Sequence, residues 1–216
     1  MARRKKEPQS AHRQAISKAA EQLFLKKGID NTSMDEIARA AGYSKATLYV
    51  YFKNKEELIG FLVLESMRKL YDAICLALKK SQDTKKRYLE ICNALVQYQE
   101  EYPFYFQAVL ETINIDFETG NFLPEEKETF LVGEQINDLL AAFLEAGIAQ
   151  GDIRSDIEIF PTIFSFWGML SGLLQLAANK EAYIGQRMDR NRMEFLTYGF
   201  EMLYQSIASC HTNIAD

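Results

Sequence analysis

Apolar residues recur at helical spacing from residue 16 onward. Five of them fall at i, i+3, i+4, i+7 and i+8, which places them on one face of a helix. These residues are Ile16, Ala19, Ala20, Leu23 and Phe24. Gly28 follows at a position suited to the end of that helix. Only four prolines occur in 216 residues, and no stretch alternates polar and apolar residues as a strand would. The pattern predicts an all-helical protein.

Residues 33–41 predict a short helix that ends in a glycine turn. Ser33 and Glu36, three residues apart, form a capping-box start. Apolar residues then occupy one face at helical spacing. They are Met34, Ile37, Ala38 and Ala41. Gly42 stands where a left-handed turn would be needed.

A second short helix is predicted directly after this turn. Ser44 can cap it, and Leu48 and Phe52 can face inward because they lie four residues apart. Five residues remain available to a partner. They are Lys45, Ala46, Thr47, Tyr49 and Tyr51. Two short helices joined by a tight turn predict a helix-turn-helix, and this polar, small and aromatic set suits a DNA groove.

A long helix through Leu78 is predicted to follow, with Asn54 as its N-cap and Glu57 at the capping-box position. Lys55 would stand in its first turn, where the helix dipole disfavours a cation. The placement is explained if this lysine and nearby amide groups jointly meet a phosphate.

The stretch from Thr32 to Leu58 resembles the DNA-binding region of the TetR (tetracycline-repressor) family. It reads T-S-M-D-E-I-A-x-x-A-G-Y-S-K-A-T-L-Y-x-Y-F-K-N-K-E-E-L, and the resemblance covers roughly residues 12 to 60. Tyr43 stands where a small aliphatic residue is common in the family, and Ala46 where glycine is common. Both departures are compatible with the fold, but they make the base preference harder to predict.

The resemblance assigns roles to residues by position. It implies that Lys45, Ala46 and Tyr49 approach base edges. It also implies phosphate contacts for Ser33, Thr47, Tyr51 and Lys55, and Ser44 completes the expected DNA-binding set.

Charge supports DNA binding independently. Residues 1–55 hold 12 Lys and Arg against 5 Asp and Glu, a net charge of +7, so the other 161 residues carry −12 of the total of −5. Such asymmetry directs an anionic duplex to one end of the chain. Arg3, Arg4, Lys5 and Lys6 form a basic arm that either adds phosphate contacts or is a solvated charge run.

Three domains are expected: a basic arm at 1–9, a helix-turn-helix DNA-binding domain at 10–57, and a helical effector-binding and dimerisation domain at 58–216. Helices in the last domain are predicted at 84–101, 103–117, 125–149, 160–180 and 187–209. Loops are predicted at Gly120-Asn121 and at 147–156.

Residues 159–179 contain no charge and are long enough to span a bilayer. Interspersed Ser, Thr, Gln, Asn and Pro residues favour burial at a subunit interface instead. In the family, the last two long helices form half of a four-helix dimer bundle. The expected dimer residues are Gly168, Gly172, Phe195, Phe200 and Leu203.

Aromatic residues are frequent between Tyr71 and Trp167, and each by itself is more often core than cavity wall. Together with the resemblance, they predict a mostly apolar effector pocket. Its expected lining is Tyr71, Tyr98, Tyr102, Phe106, Leu110, Phe166, Trp167 and Leu170. Glu111, Asp116 and Glu118 could accept a cationic ligand, although a solvated acidic face is the favoured interpretation.

The sequence argues against an enzyme. Its two histidines, His12 and His211, lie near opposite ends, and no phosphate loop, nucleophile elbow or metal-ligand spacing occurs. No catalytic residue, metal or cofactor is therefore predicted. Cys75, Cys92 and Cys210 are odd in number and widely spaced, which indicates a reduced, cytoplasmic compartment. No secretion signal is predicted, because no apolar run follows the basic N-terminus.

The sequence thus predicts a homodimeric repressor that binds a palindromic double-stranded operator, does not enter a membrane, and is released by a small lipophilic effector. The alternative is a helix-turn-helix regulator without such a ligand, controlled by a partner protein or by thiol oxidation.

Overall fold

The structure is a computed structural model that describes residues 8–108 and 123–209. Within these residues it contains ten helices, and its only extended pairing is a single bridge between Ile153 and Ala208. The helices are α1 Gln9–Lys27, α2 Met34–Ala40, α3 Lys45–Tyr51, α4 Lys55–Lys79, α5 Thr84–Glu101, α6 Pro103–Ala108, α7 Pro124–Gln150, α8 Ile159–Asn179, α9 Glu181–Met188 and α10 Arg192–Ile207. The all-helical prediction is confirmed.

The described residues divide into two compact units. The first, which we call the head, comprises residues 8–66 and 123–130, and the second, the body, comprises residues 67–108 and 131–209. Helices α4 and α7 each begin in the head and continue into the body. The first unit therefore extends past residue 57 and includes the start of α7.

Local capping signals set the ends of the two short helices in the head. The Ser33 hydroxyl accepts from the backbone N–H of Glu36, and the Glu36 carboxylate accepts from the Ser33 N–H, which completes a capping box at α2. The Ser44 hydroxyl accepts from the Thr47 N–H at 3.1 Å and caps α3. Gly42 between them has a φ of 77°, a left-handed conformation that favours glycine.

The start of α4 departs slightly from a capping box. Asn54 Oδ1 accepts from the Glu57 N–H at 2.8 Å, as expected of an N-cap. The Glu57 carboxylate instead accepts from the backbone N–H of Lys53 at 2.8 Å, one residue before the cap. The two bonds together fix the turn between α3 and α4.

The head has a small apolar core to which each of its first four helices, or the residue that caps it, contributes. Its fully buried large side chains are Ile16, Ile37, Leu48, Phe52 and Leu58. Leu48 and Phe52 thus face inward as predicted, which leaves the opposite side of α3 to solvent.

Arg13 of α1 lies at the edge of this core. Its guanidinium carbon is 4.5 Å from the ring centroid of Phe52 and 4.7 Å from that of Phe61. Its Nη2 donates to Glu125 Oε1 at 2.9 Å and lies 3.7 Å from Glu57 Oε1. Side chains from α1, α4, α7 and the end of α3 therefore meet at one cation.

The body is held together by close helix packing. A Cβ built on Gly199 of α10 would lie 2.5 Å from the side chain of Leu173 of α8, so only glycine allows this approach without a shift. The Tyr88 hydroxyl of α5 donates to the carbonyl of Phe200 at 3.1 Å inside the same core. Helices α5, α8 and α10 therefore pack against one another.

Two boundaries differ from the sequence prediction. The helix expected at 187–209 is interrupted, since Asp189 adopts a left-handed φ of 51° and Asn191 begins α10 with a capping box to Glu194. The loop expected from Gly147 begins later, because α7 runs on to Gln150 while Gly147 packs beneath Ile153.

The predicted helix 103–117 is described only as far as Ala108. The loop at Gly120-Asn121 and the residues Leu110, Glu111, Asp116 and Glu118 lie outside the described residues, as do residues 1–7 of the basic arm and Cys210. The last residue assigned to the arm, Gln9, is the first residue of α1.

Arg13→Ala should destabilise the head. The change removes a charged hydrogen bond and two cation–ring contacts that are largely shielded from water, so we expect a loss of about 2 to 3 kcal/mol. Lys27→Ala is the matched control, because it removes a more exposed head ion pair, 2.6 Å from Glu36, and should cost under about 1 kcal/mol. Thermal and denaturant unfolding followed by circular dichroism measures both, and equal losses would contradict the assignment.

Candidate nucleic-acid interface and apolar cavity

One side of α3 faces solvent and carries most of the residues expected to read DNA bases. Lys45, Ala46, Tyr49 and Val50 are exposed, whereas Thr47 and Tyr51 are half-buried. Lys45 and Tyr49 are four residues apart, as are Ala46 and Val50, so the exposed residues form two adjacent rows. The structure thus places Lys45, Ala46 and Tyr49 on a common surface, together with Val50, which the sequence analysis did not select.

Lys45 is paired within the head. Its Nζ lies 2.8 Å from Asp35 Oδ1 and 3.0 Å from Oδ2, and this hydrogen-bonded carboxylate raises the pKa of Lys45. Both side chains are more than half exposed, so the pair can open. A base that takes a hydrogen bond from Lys45 must therefore compete with Asp35.

Three serine and threonine hydroxyls assigned to DNA contacts also form hydrogen bonds at helix N-termini. They belong to Ser33, Ser44 and Thr47. Ser33 Oγ donates to Glu36 Oε2 at 2.8 Å, and Ser44 Oγ lies 2.8 Å from Thr47 Oγ1. A hydrogen bond from the Lys27 ammonium, joined by bonds from Ser33, lowers the pKa of Glu36 to about 2. These residues hold the start of each short helix at the solvent-exposed side of the head.

Lys55 faces the loop between α1 and α2. Its Nζ donates to the carbonyl of Ile29 at 3.0 Å and to that of Thr32 at 3.2 Å. An ammonium has three donors, so one remains for a further acceptor. The phosphate contact expected of Lys55 stays a prediction, while its bonds to the loop carbonyls are present without DNA.

An aromatic cluster surrounds Tyr51. The ring centroid of His12 lies 5.1 Å from that of Tyr51, and His12 Nδ1 lies 2.7 Å from the Tyr43 hydroxyl. The Tyr43 and Tyr51 rings are 6.3 Å apart. The unusual tyrosine at position 43 therefore has a structural partner on α1, which no local sequence pattern could reveal.

The body contains an apolar cavity with an empty volume of about 480 Å³. Its lining residues come from α5, α7, α8 and the end of α10. They are Tyr88, Ile91, Leu95, Leu140, Phe143, Leu144, Thr162, Ile163, Phe166, Trp167, Leu170 and Ile207. This volume includes space that is open to solvent.

Three of the predicted pocket residues, Phe166, Trp167 and Leu170, line this cavity. Tyr98, Tyr102 and Phe106 instead form a separate aromatic cluster, with Tyr98 centroids 5.4 Å from Tyr102 and 6.4 Å from Phe106. Tyr71 lies on α4 outside the lining, where a hydrogen bond with Cys75 raises the pKa of its hydroxyl. Leu110 lies outside the described residues.

The cavity wall offers almost no polarity. No lining residue carries a charge, and the Tyr88 hydroxyl is already bonded to the Phe200 carbonyl. Burial raises the pKa of Tyr88 and brings that of the nearby Cys92 thiol to about 12. A neutral apolar group is the ligand chemistry that this wall accommodates at lowest cost.

Helices α8 and α10 carry several exposed apolar side chains, and we call the solvent-exposed sides of these two helices the α8/α10 face. Its exposed large side chains are Phe160, Phe164, Met169, Leu176, Met193, Tyr198 and Met202. Gly168 and Gly172 are exposed, and a Cβ on either would meet nothing within 4 Å. Phe195 and Leu203 are half-buried, whereas Phe200 is buried in the core of the body.

In the described part of the chain, α8 is the one helix long and apolar enough to cross a membrane by length and composition, and 22% of its most apolar window is buried. No group of three or more His, Cys, Asp or Glu side chains that could hold a metal ion occurs among the described residues. Of the cysteines, Cys75 is half-buried and Cys92 is buried, both as free thiols.

Residues 16–60 match the profile of "Bacterial regulatory proteins, tetR family". The match begins within α1 and ends in the first turns of α4, so it includes α3 and its exposed surface. The head of this chain is therefore similar to the DNA-binding domain of the TetR family. The regulator TtgR of Pseudomonas putida is 33% identical over 102 residues, 44% of this chain and 48% of that protein. The chain spans about half the length of the curated relatives it matches.

Solved structures share the fold along most of the chain. A protein of unknown function from Rhodococcus sp. RHA1 superposes with a TM-score of 0.75 at 18% identity, over 92% of this chain and 96% of that one. The transcriptional regulator FadR of Bacillus subtilis, solved in complex with stearoyl-CoA, gives a TM-score of 0.67 at 16% identity, over 90% and 98%. The chain therefore shares its fold with these solved structures.

Filling the cavity should exclude a neutral hydrophobic probe. Leu140→Trp places an indole in the empty space between α5, α7 and α8, so affinity for the fluorophore N-phenyl-1-naphthylamine should fall at least about tenfold. Leu131→Trp is the matched control, because it makes the same change at an exposed position of the same helix.

Probe affinity is measured by fluorescence titration, after thermal melts show that both variants fold. Overpacking costs about 1 to 3 kcal/mol, and Leu140→Phe is the smaller replacement if the tryptophan variant unfolds. Unchanged affinity in a folded Leu140 variant would place probe binding outside this cavity.

Proposed function

We propose that this protein is a homodimeric transcriptional repressor that binds a palindromic DNA operator and is released by a small lipophilic effector. The observation that carries the proposal is the exposed face of α3 within a TetR-family head. Lys45, Ala46 and Tyr49 lie together there, supported from behind by the buried Leu48 and Phe52.

The charge distribution supports a DNA partner for the head. Residues 1–55 carry +7 and the remaining residues −12, so an anionic duplex is attracted to one part of the chain and repelled by the rest. Lys45 and Lys53 are exposed at and beside α3 and can contribute to this attraction. TtgR and FadR are both transcriptional regulators, which agrees with DNA as the partner of the head.

The α8/α10 face supports a second copy of the chain as partner. Its exposed aromatic and methionine side chains are costly in water, and they flank the two open glycines. Gly168 and Gly172, four residues apart, allow another helix to approach closely. A dimer built on this face would carry two heads, as a two-fold symmetric operator requires.

The body cavity supports a lipophilic effector. Its apolar wall suits an uncharged hydrocarbon or aromatic group. FadR of Bacillus subtilis was solved with stearoyl-CoA, which is the ligand of that protein. In this chain the effector would weaken operator binding only as far as it prefers a conformation that fits DNA poorly.

A regulator without a small-molecule ligand is the competing proposal. Cys75 is half-buried and could be reached by an oxidant, and a protein partner could act on the body. If operator binding responds to thiol oxidation but to no lipophilic compound, this alternative replaces the effector while the DNA-binding role stands.

The DNA-binding role predicts that a specific sequence can be selected from random duplexes and that Tyr49 recognises it. Tyr49→Ala should weaken binding to the selected operator by about 1 to 3 kcal/mol, because it removes a base-edge contact without opening the core. Leu76→Ala is the control, since it truncates another exposed large side chain, in the body. Fluorescence anisotropy at fixed salt gives the affinities. Failure to enrich any sequence would overturn the role.

The dimer predicts that a charge at position 172 separates the subunits. Gly172→Glu would bury an unpaired carboxylate between two α8/α10 faces, so sedimentation should show monomers and operator affinity should fall steeply. Ala142→Glu adds the same charge at an exposed position of α7, outside this face, and serves as the control. An intact Gly172→Glu dimer would move the interface elsewhere.

A further inference from the structure

Val50 is the most exposed large apolar side chain in the described part of the chain, at 73% of its full exposure. It is the sixth residue of the seven-residue α3. A β-branched residue is a poor helix former, and an exposed one contributes nothing to the core. Folding of the head therefore gives no reason for valine at this position.

Val50 continues an apolar row on the exposed side of α3. Ala46, four residues earlier, is also exposed, and together the two form a strip that we call the Ala46–Val50 strip. Lys45 and Tyr49 form the adjacent row, and the Lys45 ammonium is paired with Asp35. Two of the four exposed residues of α3, Ala46 and Val50, thus have purely apolar side chains.

The surroundings of the strip identify its occupant. Two small side chains cannot support a protein interface, which buries at least about 1,000 Å². The strip also lies among the basic residues of a segment with a net charge of +7. Charge complementarity therefore favours duplex DNA, and the one apolar group on the base edges of the major groove is the thymine 5-methyl.

We propose that Val50, with Ala46 beside it, contacts a thymine methyl and selects thymine at one position of each operator half-site. This inference rests on the proposed DNA-binding function and adds a specificity-determining residue to it. Lys45 and Tyr49 supply hydrogen bonds to the bases. The Ala46–Val50 strip disfavours a base without a methyl group at the position that it contacts.

Deoxyuridine differs from thymidine only by the absence of the 5-methyl group and tests the contact directly. In the operator selected by the wild-type protein, each thymine is replaced singly by deoxyuridine and affinity is measured by anisotropy. At one position per half-site, wild-type affinity should fall about fourfold, the effect expected for one buried methyl. Deoxyuridine at other positions should have little effect.

Val50→Ala completes a double-mutant cycle. It should weaken binding to the thymine operator by a similar factor and should no longer distinguish thymine from deoxyuridine at that position. Val50→Ile keeps the branched methyl surface and should retain the discrimination. Leu76→Ala, at an exposed position of the body, should behave as wild type throughout.

The outcomes separate the two proposals. If wild type binds a selected operator but no thymine methyl matters, or if Val50→Ala keeps the full deoxyuridine penalty, the Val50 contact is overturned and DNA binding stands. A contact to deoxyribose alone would give this result. If no sequence is enriched, the DNA-binding function fails and the inference fails with it.

Discussion

The position of α3 depends on one cation at the edge of the head core. The Arg13 guanidinium lies against Phe52 and Phe61 while it pairs with Glu125 and Glu57. Phe52 is the residue that ends α3. The ring contact therefore fixes where α3 stops, and the capping bonds of Ser44 fix where it starts.

Arg13 also forms an ion pair with the start of α7 within the head. Glu125 stands in the first turn of α7, and Leu140, Phe143 and Leu144 of the same helix line the cavity of the body. Helix α7 runs without a break from Glu125 to the cavity wall. Under the proposed function, a ligand that stabilises one conformation of α7 can therefore affect the ion pair between Glu125 and Arg13. The change in operator affinity is limited by the difference between the ligand's affinities for the two conformations, however tightly the ligand binds.

Local sequence signals predicted the head well. The capping pairs Ser33 with Glu36 and Ser44 with Thr47, and the turn at Gly42, involve residues close in sequence, so spacing alone could reveal them. The break between α9 and α10 also had a local signal in the capping pair Asn191 and Glu194, which the sequence analysis did not use.

Contacts between distant residues could not be predicted from spacing. Arg13 and Glu125 are 112 residues apart, and the His12 bond to Tyr43 spans 31. For the same reason, aromatic density did not separate the cavity wall from the cluster around Tyr98, because both sets have helical spacing. Val50 was missed because an exposed valine is recognised only once burial is known.

The central claim is that two α3 helices of one dimer bind DNA together. The most direct measurement is affinity for the selected operator when about five base pairs, half a helical turn, are inserted between its half-sites. The insertion rotates one half-site to the opposite face of the duplex, so affinity should fall to the level of a single half-site. An insertion of about ten base pairs, which restores the face but not the distance, should also bind poorly if the dimer is rigid. Undiminished binding to both altered operators would contradict the account.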